Sequence, residues 1–339
     1  MGWLAHGRPP HFIFIRGELF VNQTNESEEV ADWKELVLSD QDFRRARSRY
    51  KLRGLIPVAG FLGPFLVLWS VFLAVPMVWS IWLSFNTGGL IDEAQFVGFD
   101  NWSRMLSNDE LVRSLKNTAI YVVIAILTVF SLALTIAGLL NSNKRGQNFF
   151  KVALYFPLLV PPIMAGMIFF FLTHYDMGII NLVLQATNHE KLNFLGDNPN
   201  ALLTIVSLEV WRGLGFWVLF FLAGLQSIPS DLIDAAKIDG AGSVRRFRKI
   251  SLPTLRPLLL FAVIIALIFN FQLFDSVQVL TKGGPVLGTT SVVWFIYKRL
   301  FAFQDIGLAY ATSVGLLIVV VVLTVAAYGF LGKRSENKD

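Results

Sequence analysis

Six long stretches of the chain are almost entirely apolar, and most charged residues lie between them. About 20 helical residues cross the ~30 Å hydrocarbon core of a bilayer, so the pattern predicts an all-α, polytopic membrane protein with six transmembrane helices. The first stretch contains Pro64 and Pro76 as tolerated kinks, and the third carries Pro157 and the pair Pro161 and Pro162. The predicted spans are 57–85, 118–140, 152–172, 201–225, 255–274 and 307–331.

Lysine and arginine residues are distributed unequally between the two sets of loops. One set holds six in 44–53, three in 141–151, five in 226–254 and three from 332 onward. The other set holds three in 86–117, one in 173–200 and three in 275–306. Because basic residues collect on the cytoplasmic side of membrane proteins, both termini and the loop 230–257 are expected in the cytoplasm.

Composition supports a membrane protein and excludes several other classes. The 339 residues are 54% hydrophobic and 16% charged, with a mean hydropathy of +0.57. The net charge of +5 does not indicate nucleic-acid binding, because the basic residues lie beside apolar runs and form no separate basic domain. The absence of cysteine excludes disulfides and thiolate metal sites.

The sequence before the first span has its own pattern. The segment 26–53 changes from acidic to strongly basic, which predicts a helix on the cytoplasmic membrane surface followed by a positive anchor. A regulatory or partner-binding tail is the alternative. The apolar patch at 12–15 is too short for a secretory signal, so no processing is expected. The predicted organisation is a cytoplasmic tail at 1–56, a transmembrane domain at 57–331 and a cytoplasmic tail at 332–339.

A polar, basic segment at 230–257 separates the fourth and fifth spans. It begins as a short helix that Ser230 could cap, with acidic residues in the first turns where the helix dipole favours them. Gly240 interrupts this helix, and a second short helix is expected to end where Pro253 and Pro257 discourage continuation. Two short helices that meet at a glycine form an angular projection, and small side chains near Gly240 would let another protein's groove receive it closely.

The residues of this segment resemble the EAA loop in membrane-spanning subunits of binding-protein-dependent ABC importers. In that family the loop is the coupling element that docks into a cleft on a cytoplasmic ATPase subunit. Asp234 stands where the family usually has glutamate, which keeps the charge. The coupling residues that the resemblance implies are Asp234, Ala235, Ala236, Asp239, Gly240, Phe247, Ile250, Leu252 and Pro253.

Other segments extend the resemblance over most of the chain from about residue 57, including 211–216 and 282–285. Their order and spacing are similar to the MalF-like sugar permeases. The resemblance implies the pore-forming subunit of a type I importer of sugars or oligosaccharides in a bacterial inner membrane. The implied partners are a second permease subunit, expected to be a different chain, two ABC ATPases and a periplasmic solute-binding protein.

No cofactor is expected in this chain, and ATP and Mg²⁺ are expected on the partner ATPases. A phosphate-binding loop would need a glycine followed, after four residues, by Gly-Lys-Ser or Gly-Lys-Thr. The sequence does not contain this pattern. The chain is therefore expected to be a transport subunit and not an enzyme. No metal site is expected either, because the four histidines show no close ligand spacing.

Two groups of polar residues within the spans are candidates for the substrate path. Glu209 and Arg212 are three residues apart and could meet on one helix face, either as a pair that fixes packing or as part of the path. Asn270, Gln272 and Asp275 are expected to close the fifth span, with the last two on one face. Beside aromatic rings they could hold sugar hydroxyls, unless this span becomes polar only because it enters the interface. The neighbouring rings are Phe269, Phe271 and Phe274.

Two other functional classes are considered. An ion-coupled secondary transporter of a small solute would need an ion site at the midplane and usually internal repeats, and no repeat is visible. A membrane-embedded enzyme such as a glycosyltransferase would need a catalytic acidic or metal cluster at the interface, and the sparse acidic residues suggest none.

Overall fold

The chain divides into two compact units, Met1–Met77 and Val78–Asp339. In the first unit, strands β1 (His11–Ile15) and β2 (Glu18–Asn22) form an antiparallel hairpin, which the sequence pattern did not predict. The basic surface helix predicted at 26–53 lies outside the described residues. The structure, a computed structural model, describes residues 11–15, 18–22, 60–88, 94–141 and 146–336.

The described part of the chain is predominantly helical. Helix α1 (Gly60–Leu83) contains a π turn at Ser70–Ala74, and two short strands, β3 (Asn86–Thr87) and β4 (Gln95–Phe96), follow it as an antiparallel pair. The remaining helices are α2 (Asp100–Leu106), α3 (Asp109–Leu140), α4 (Gln147–Tyr155), α5 (Pro162–Thr173), α6 (Ile179–Ala186), α7 (Asn200–Gln226), α8 (Ser230–Ile238), α9 (Ser243–Arg246), α10 (Leu252–Thr254), α11 (Arg256–Phe271), α12 (Asp275–Leu280), α13 (Val292–Tyr297) and α14 (Ile306–Glu336).

The all-α membrane fold is confirmed, and the described residues contain five helices long and apolar enough to span a membrane, or six spans if the bent pair in the third predicted span counts as one. Helix α3 begins well before residue 118, where the apolar run starts. Asn108 caps it by accepting a hydrogen bond from Leu111 N at 3.1 Å, and two acidic residues occupy the first turn. The apolar run therefore identifies the part of a helix that suits hydrocarbon and not the whole helix. The segments long and apolar enough to span are Gly60–Leu83, Asp109–Leu140, Asn200–Gln226, Arg256–Leu280 and Ile306–Gly329, with the bent pair Gln147–Leu159 and Pro162–Thr173 as the sixth.

The third span was predicted as a single segment at 152–172, but the structure divides it into two helices. Helix α4 passes into a 3₁₀ turn at Phe156–Leu159, and α5 then leaves at a bend of 98°. Pro161 has the extended conformation that is usual before a proline, with φ −54° and ψ 138°. The proline pair thus separates the two helices, whereas a single proline would be tolerated as a kink.

The fifth span is also interrupted, and it continues beyond the predicted end at residue 274. Helix α11 ends at Phe271 and α12 begins at Asp275, within one candidate span that reaches Leu280. Gln272 and Asp275 therefore do not share the face of one continuous helix. The polar residues at this position lie at a break inside the span, because the interrupted backbone frees groups that polar partners can satisfy.

Helices α3 and α7 pack along each other and form the centre of the second unit. The ring of Phe130 on α3 contacts Trp217 and Phe221 on α7, with ring centroids 4.8 and 5.2 Å apart. Ala133 and Ala137 on the same face of α3 are fully buried. Small residues on α3 thus let aromatic rings pack between the two helices. This packing holds α7, and with it Glu209, in place.

An ion cluster stabilises the end of the second unit where α3 begins. Glu110 contacts Lys298, and its Oε2 lies 2.7 Å from Nη2 of Arg299. The three side chains are only 15–20% exposed. They lie beside a separate buried cluster of Met105, Leu111, Val292, Phe295, Leu308 and Ala311.

Replacing Glu110 by glutamine is expected to lower the free energy of unfolding by about 2–3 kcal/mol, because two partly buried cations lose the carboxylate that neutralises them. Unfolding of the purified chain in detergent would measure this. The matched control is Asp176→Asn, whose carboxylate is 70% exposed and 3.4 Å from Lys191, where a change below about 1 kcal/mol is expected. Equal losses in the two variants would contradict the prediction.

Candidate functional site

A cavity of about 470 Å³ opens in the second unit where both broken spans meet α3 and α7. Leu158 comes from the 3₁₀ turn of the third span, and Leu273 from the break in the fifth. Irregular backbone at membrane depth is tolerated where it is buried in protein or lines a water-filled cavity. The cavity is lined by Tyr121, Ala125, Val129, Leu158, Glu209, Val210, Arg212, Gly213, Phe216, Trp217, Phe269, Asn270, Gln272, Leu273, Phe274 and Asp275.

All five predicted path residues line this cavity. Glu209 and Arg212 come from α7. Asn270 lies near the end of α11, Gln272 in the break and Asp275 at the start of α12. The sequence indicated two separate groups, and only the tertiary structure brings them to one place. The cavity therefore combines carboxylate, guanidinium and amide groups.

Glu209 is the centre of a small hydrogen-bonded network. Its Oε2 accepts from Nη2 of Arg212 at 3.0 Å, and its Oε1 accepts from the Ser276 hydroxyl. The Glu209 and Arg212 side chains are 16% and 23% exposed. The pair is thus intrahelical and also faces the cavity, so the two interpretations of its role do not exclude each other.

Aromatic rings form much of the remaining wall. Phe269 and Phe274 line the cavity as expected, but Phe271 is 6% exposed and belongs to the hydrophobic core instead. Sequence reasoning missed Tyr121 and Trp217. Tyr121 is the single tyrosine within the apolar run 118–140, and that hydroxyl in hydrocarbon was a signal that could have identified it.

Ser291, the residue directly before α13, stabilises the break in the fifth span. Its hydroxyl donates to the free carbonyl of Leu273 at 2.6 Å and accepts from Trp294 N at 3.1 Å. One side chain thus satisfies the interrupted backbone and caps a neighbouring helix.

Replacing Ser291 by alanine is expected to destabilise the protein by about 1–3 kcal/mol, because the buried carbonyl of Leu273 would lose its partner. Thermal unfolding in detergent would measure the change. Ser313→Ala is the control, since the Ser313 hydroxyl donates to the carbonyl of Ala309 one turn back at 2.8 Å, a contact that adds little to a helix. The same loss in the control would show that the break is not the cause.

The second candidate site is the loop around Gly240. Helix α8 ends at Ile238, and Gly240 two residues later has a positive φ of +73°. Ala241 N donates to Ala236 O at 2.9 Å and Gly240 N to Lys237 O at 3.0 Å, the two bonds of a Schellman motif that commonly places glycine at this position. The predicted interruption at Gly240 is therefore the C-terminal cap of α8.

Ser230 was predicted to cap α8, but it does not. Pro229 occupies the N-cap position and Ser230 is the first helical residue, without a side-chain capping bond. Proline has a fixed φ and no N–H, so it suits a position directly before the helix. The sequence pattern placed the cap one residue too late.

The second short helix also differs from its prediction, because Pro253 does not end it. Helix α9 widens into a π turn at Phe247–Ser251 and continues through α10. The π turn lies just before Pro253, so the helix accommodates the missing N–H by a change of hydrogen-bond register. Pro257 lies in the first turn of α11, where an N–H would have no intrahelical partner.

One side of the loop is anchored and the other is exposed. Ile233 and Phe247 pack against the core, and Ala236 is 9% exposed. Asp234, Ala235, Asp239 and Gly240 are exposed, while Ile250, Leu252 and Pro253 are partly buried. The exposed side also presents Leu232, Ile238 and Val244, at 50%, 87% and 71%.

Ile238 was not among the predicted coupling residues, although an apolar residue directly before Asp239 and Gly240 was a usable signal. Exposed apolar side chains on a polar loop are typical of an interaction surface. The loop is joined tightly to the spans, since a Cβ added at Gly224 on α7 would lie 2.2 Å from Leu258 Cδ2 on α11.

Comparisons with known proteins agree on one kind of protein. Residues 128–336 match the family model described as "Binding-protein-dependent transport system inner membrane component". The sn-glycerol-3-phosphate transport system permease protein UgpA of Agrobacterium fabrum is 34% identical over 242 residues, 71% of this chain and 82% of the relative. The trehalose/maltose transport system permease protein MalF of Thermococcus litoralis is 33% identical over 263 residues, 77% of this chain and 89% of the relative.

A solved structure has the same fold. It is that of a bacterial ABC transporter involved in the import of the acidic polysaccharide alginate, with a TM-score of 0.76 and 19% sequence identity over 85% of this chain and 99% of the other.

Proposed function

The chain belongs to the family of binding-protein-dependent transport system inner membrane components, and on that premise we propose that it is the pore-forming permease subunit of an ATP-driven importer of sugars or oligosaccharides. The observation that carries this proposal is the family match over 128–336, which includes the loop and all five polar path residues. The relative named for trehalose and maltose supports a carbohydrate substrate.

Energy would come from two ABC ATPase subunits that bind ATP and Mg²⁺. The exposed side of the loop around Gly240 would dock into a cleft on one ATPase, and the matching loop of a second permease subunit would dock on the other. Asp234 would orient α8, and Ala235 with Gly240 would permit close contact. Ile238 would supply apolar contact area.

Movement of the loop would reach the spans because both ends of the loop are firmly attached. Leu255, between α10 and α11, is 3% exposed, and Gly224 lets the end of α7 approach α11 closely. Closure of the ATPases would therefore move α7 and α11 together. These two helices carry the polar groups of the cavity, so its access would change from one side of the membrane to the other.

Topology follows from the distribution of basic residues. Both termini and the loop around Gly240 would face the cytoplasm, since the lysine- and arginine-rich loops lie on that side. The opposite face would receive a periplasmic solute-binding protein, which releases the sugar into the outward-open cavity. Asn270 and Gln272 would then contact sugar hydroxyls, with Phe269 and Phe274 as apolar surfaces.

The test is uptake into proteoliposomes by the chain assembled with its partner permease, ATPases and binding protein. Uptake should require ATP and the binding protein and should stop when the ATPases carry an inactivating substitution. The comparisons give no support to the ion-coupled alternative, although broken spans also occur in secondary transporters. Uptake driven by a proton gradient without ATPase subunits would overturn the proposal.

A further inference from the structure

We infer that the cavity selects uncharged polyhydroxylated solutes and rejects anionic ones such as sugar phosphates and uronates. The inference rests on the proposed function and specifies its substrate class. It differs from what the named similar proteins would suggest, because UgpA is named for sn-glycerol-3-phosphate and the solved importer takes up alginate, and both are anions.

The cation of the cavity wall is already paired with a carboxylate. Arg212 is the sole cationic side chain among the described residues that line the cavity. Its guanidinium donates to Glu209 at 3.0 Å, and Ser276 holds the other oxygen of the same carboxylate. Recognition of a phosphate or carboxylate uses charge-assisted bonds from a cation. Here the cation is already neutralised by a fixed carboxylate on its own helix.

The charged side chains of the cavity wall do not cancel one another. Asp275 also lines the cavity, so the charged groups of the wall are two carboxylates and one guanidinium, with one net negative charge. Repulsion between like charges is strong in a site of reduced dielectric. An anionic solute would therefore bind at least about tenfold more weakly than an uncharged solute of the same shape.

The polar groups and aromatic rings of the cavity wall suit a neutral sugar. Carboxylate oxygens accept from hydroxyl groups, and amides such as Gln272 both donate and accept. Phe216 and Phe274 present ring surfaces to the same space, against which the C–H faces of a sugar can pack. The wall thus offers acceptors and apolar surface where an anion would need free cations.

The experiment measures ATP-dependent uptake by the complete importer in proteoliposomes. The probes are trehalose and maltose as uncharged solutes, and sn-glycerol-3-phosphate and alginate pentasaccharide as anions. Uncharged probes should accumulate and anions should not, and tenfold excess sn-glycerol-3-phosphate should not slow uptake of the uncharged probe. Accumulation of an anionic probe would overturn the inference and leave the proposed function intact. Accumulation of a probe that persists when the ATPase subunits are left out would contradict the proposed function instead.

A variant isolates the role of the ion pair. Glu209→Gln keeps an oxygen for Ser276 but leaves Arg212 without its neutralising carboxylate. Inhibition of uptake by sn-glycerol-3-phosphate should then become about tenfold or more stronger. Asp176→Asn removes one negative charge that does not line the cavity and should leave inhibition unchanged. Inhibition of Glu209→Gln equal to that of the unaltered protein would overturn the assignment.

Discussion

Replacing Gly240 by tryptophan is expected to abolish ATP-dependent uptake while the chain still inserts into the membrane. The glycine has a φ of +73°, and a Cβ added there would meet no atom of the chain within 4 Å. The substitution therefore adds only the strain of a positive φ, about 1–2 kcal/mol, to the folding of the chain itself. The large effect would come from the indole, which would occupy the space that the ATPase needs for close contact.

Uptake into proteoliposomes and co-purification of the ATPases would measure the two consequences, and membrane insertion would be checked by fractionation. Gly98→Trp is the matched control. Gly98 also has a positive φ, +58°, and open space around an added Cβ, but lies in a loop that the basic-residue distribution places on the opposite face. Normal uptake with Gly240→Trp, or loss of uptake with both variants, would contradict coupling through this loop.

Replacing Gly215 by alanine is expected to destabilise the whole transmembrane bundle. A Cβ at this position on α7 would lie 2.1 Å from the carbonyl oxygen of Leu154 and 2.6 Å from Cα of Tyr155. Both contacts are with backbone, so no side chain can rotate away, and α4 must separate from α7. Overpacking of this kind reduces the free energy of unfolding by about 3 kcal/mol, and it would also disturb the 3₁₀ turn beside the cavity.

The measurement is the unfolding temperature and the yield of monodisperse protein in detergent. Gly213→Ala provides a control two residues away on the same helix, because its nearest contact for an added Cβ is Trp217 Cδ1 at 4.0 Å. This variant should remain close to the unaltered protein in stability. Similar behaviour of the two variants would mean that α4 and α7 are not in the close contact that the structure has.

The breaks in the spans show where sequence reasoning was limited. The proline pair at Pro161 and Pro162 was visible, but its effect depended on whether neighbouring helices could hold a bent segment. At Pro253 the outcome was the opposite, since the helix continued through a π turn. Local propensity identifies a strained position, and packing around it decides between a kink, a break and a change of register.

The polar residues show a similar division. Their presence inside apolar runs marked Glu209, Arg212 and Asn270 as candidates, because charge and amide groups are costly in hydrocarbon. That they line one cavity with Tyr121 depends on contacts between α3, α7 and the break after α11, which are far apart in sequence.

The sequence by itself determined the long apolar segments, the position of the polar loop in the chain order and the glycine in the C-terminal cap of α8. Each of these depends on local properties: the length of an apolar run, or a backbone conformation that glycine adopts at little cost. Only the tertiary structure decided that two spans are interrupted, that both breaks open onto the same cavity and that Arg212 is neutralised there by Glu209 and Ser276. These features arise from contacts between distant segments, because an interrupted helix persists only where other elements satisfy its free backbone groups.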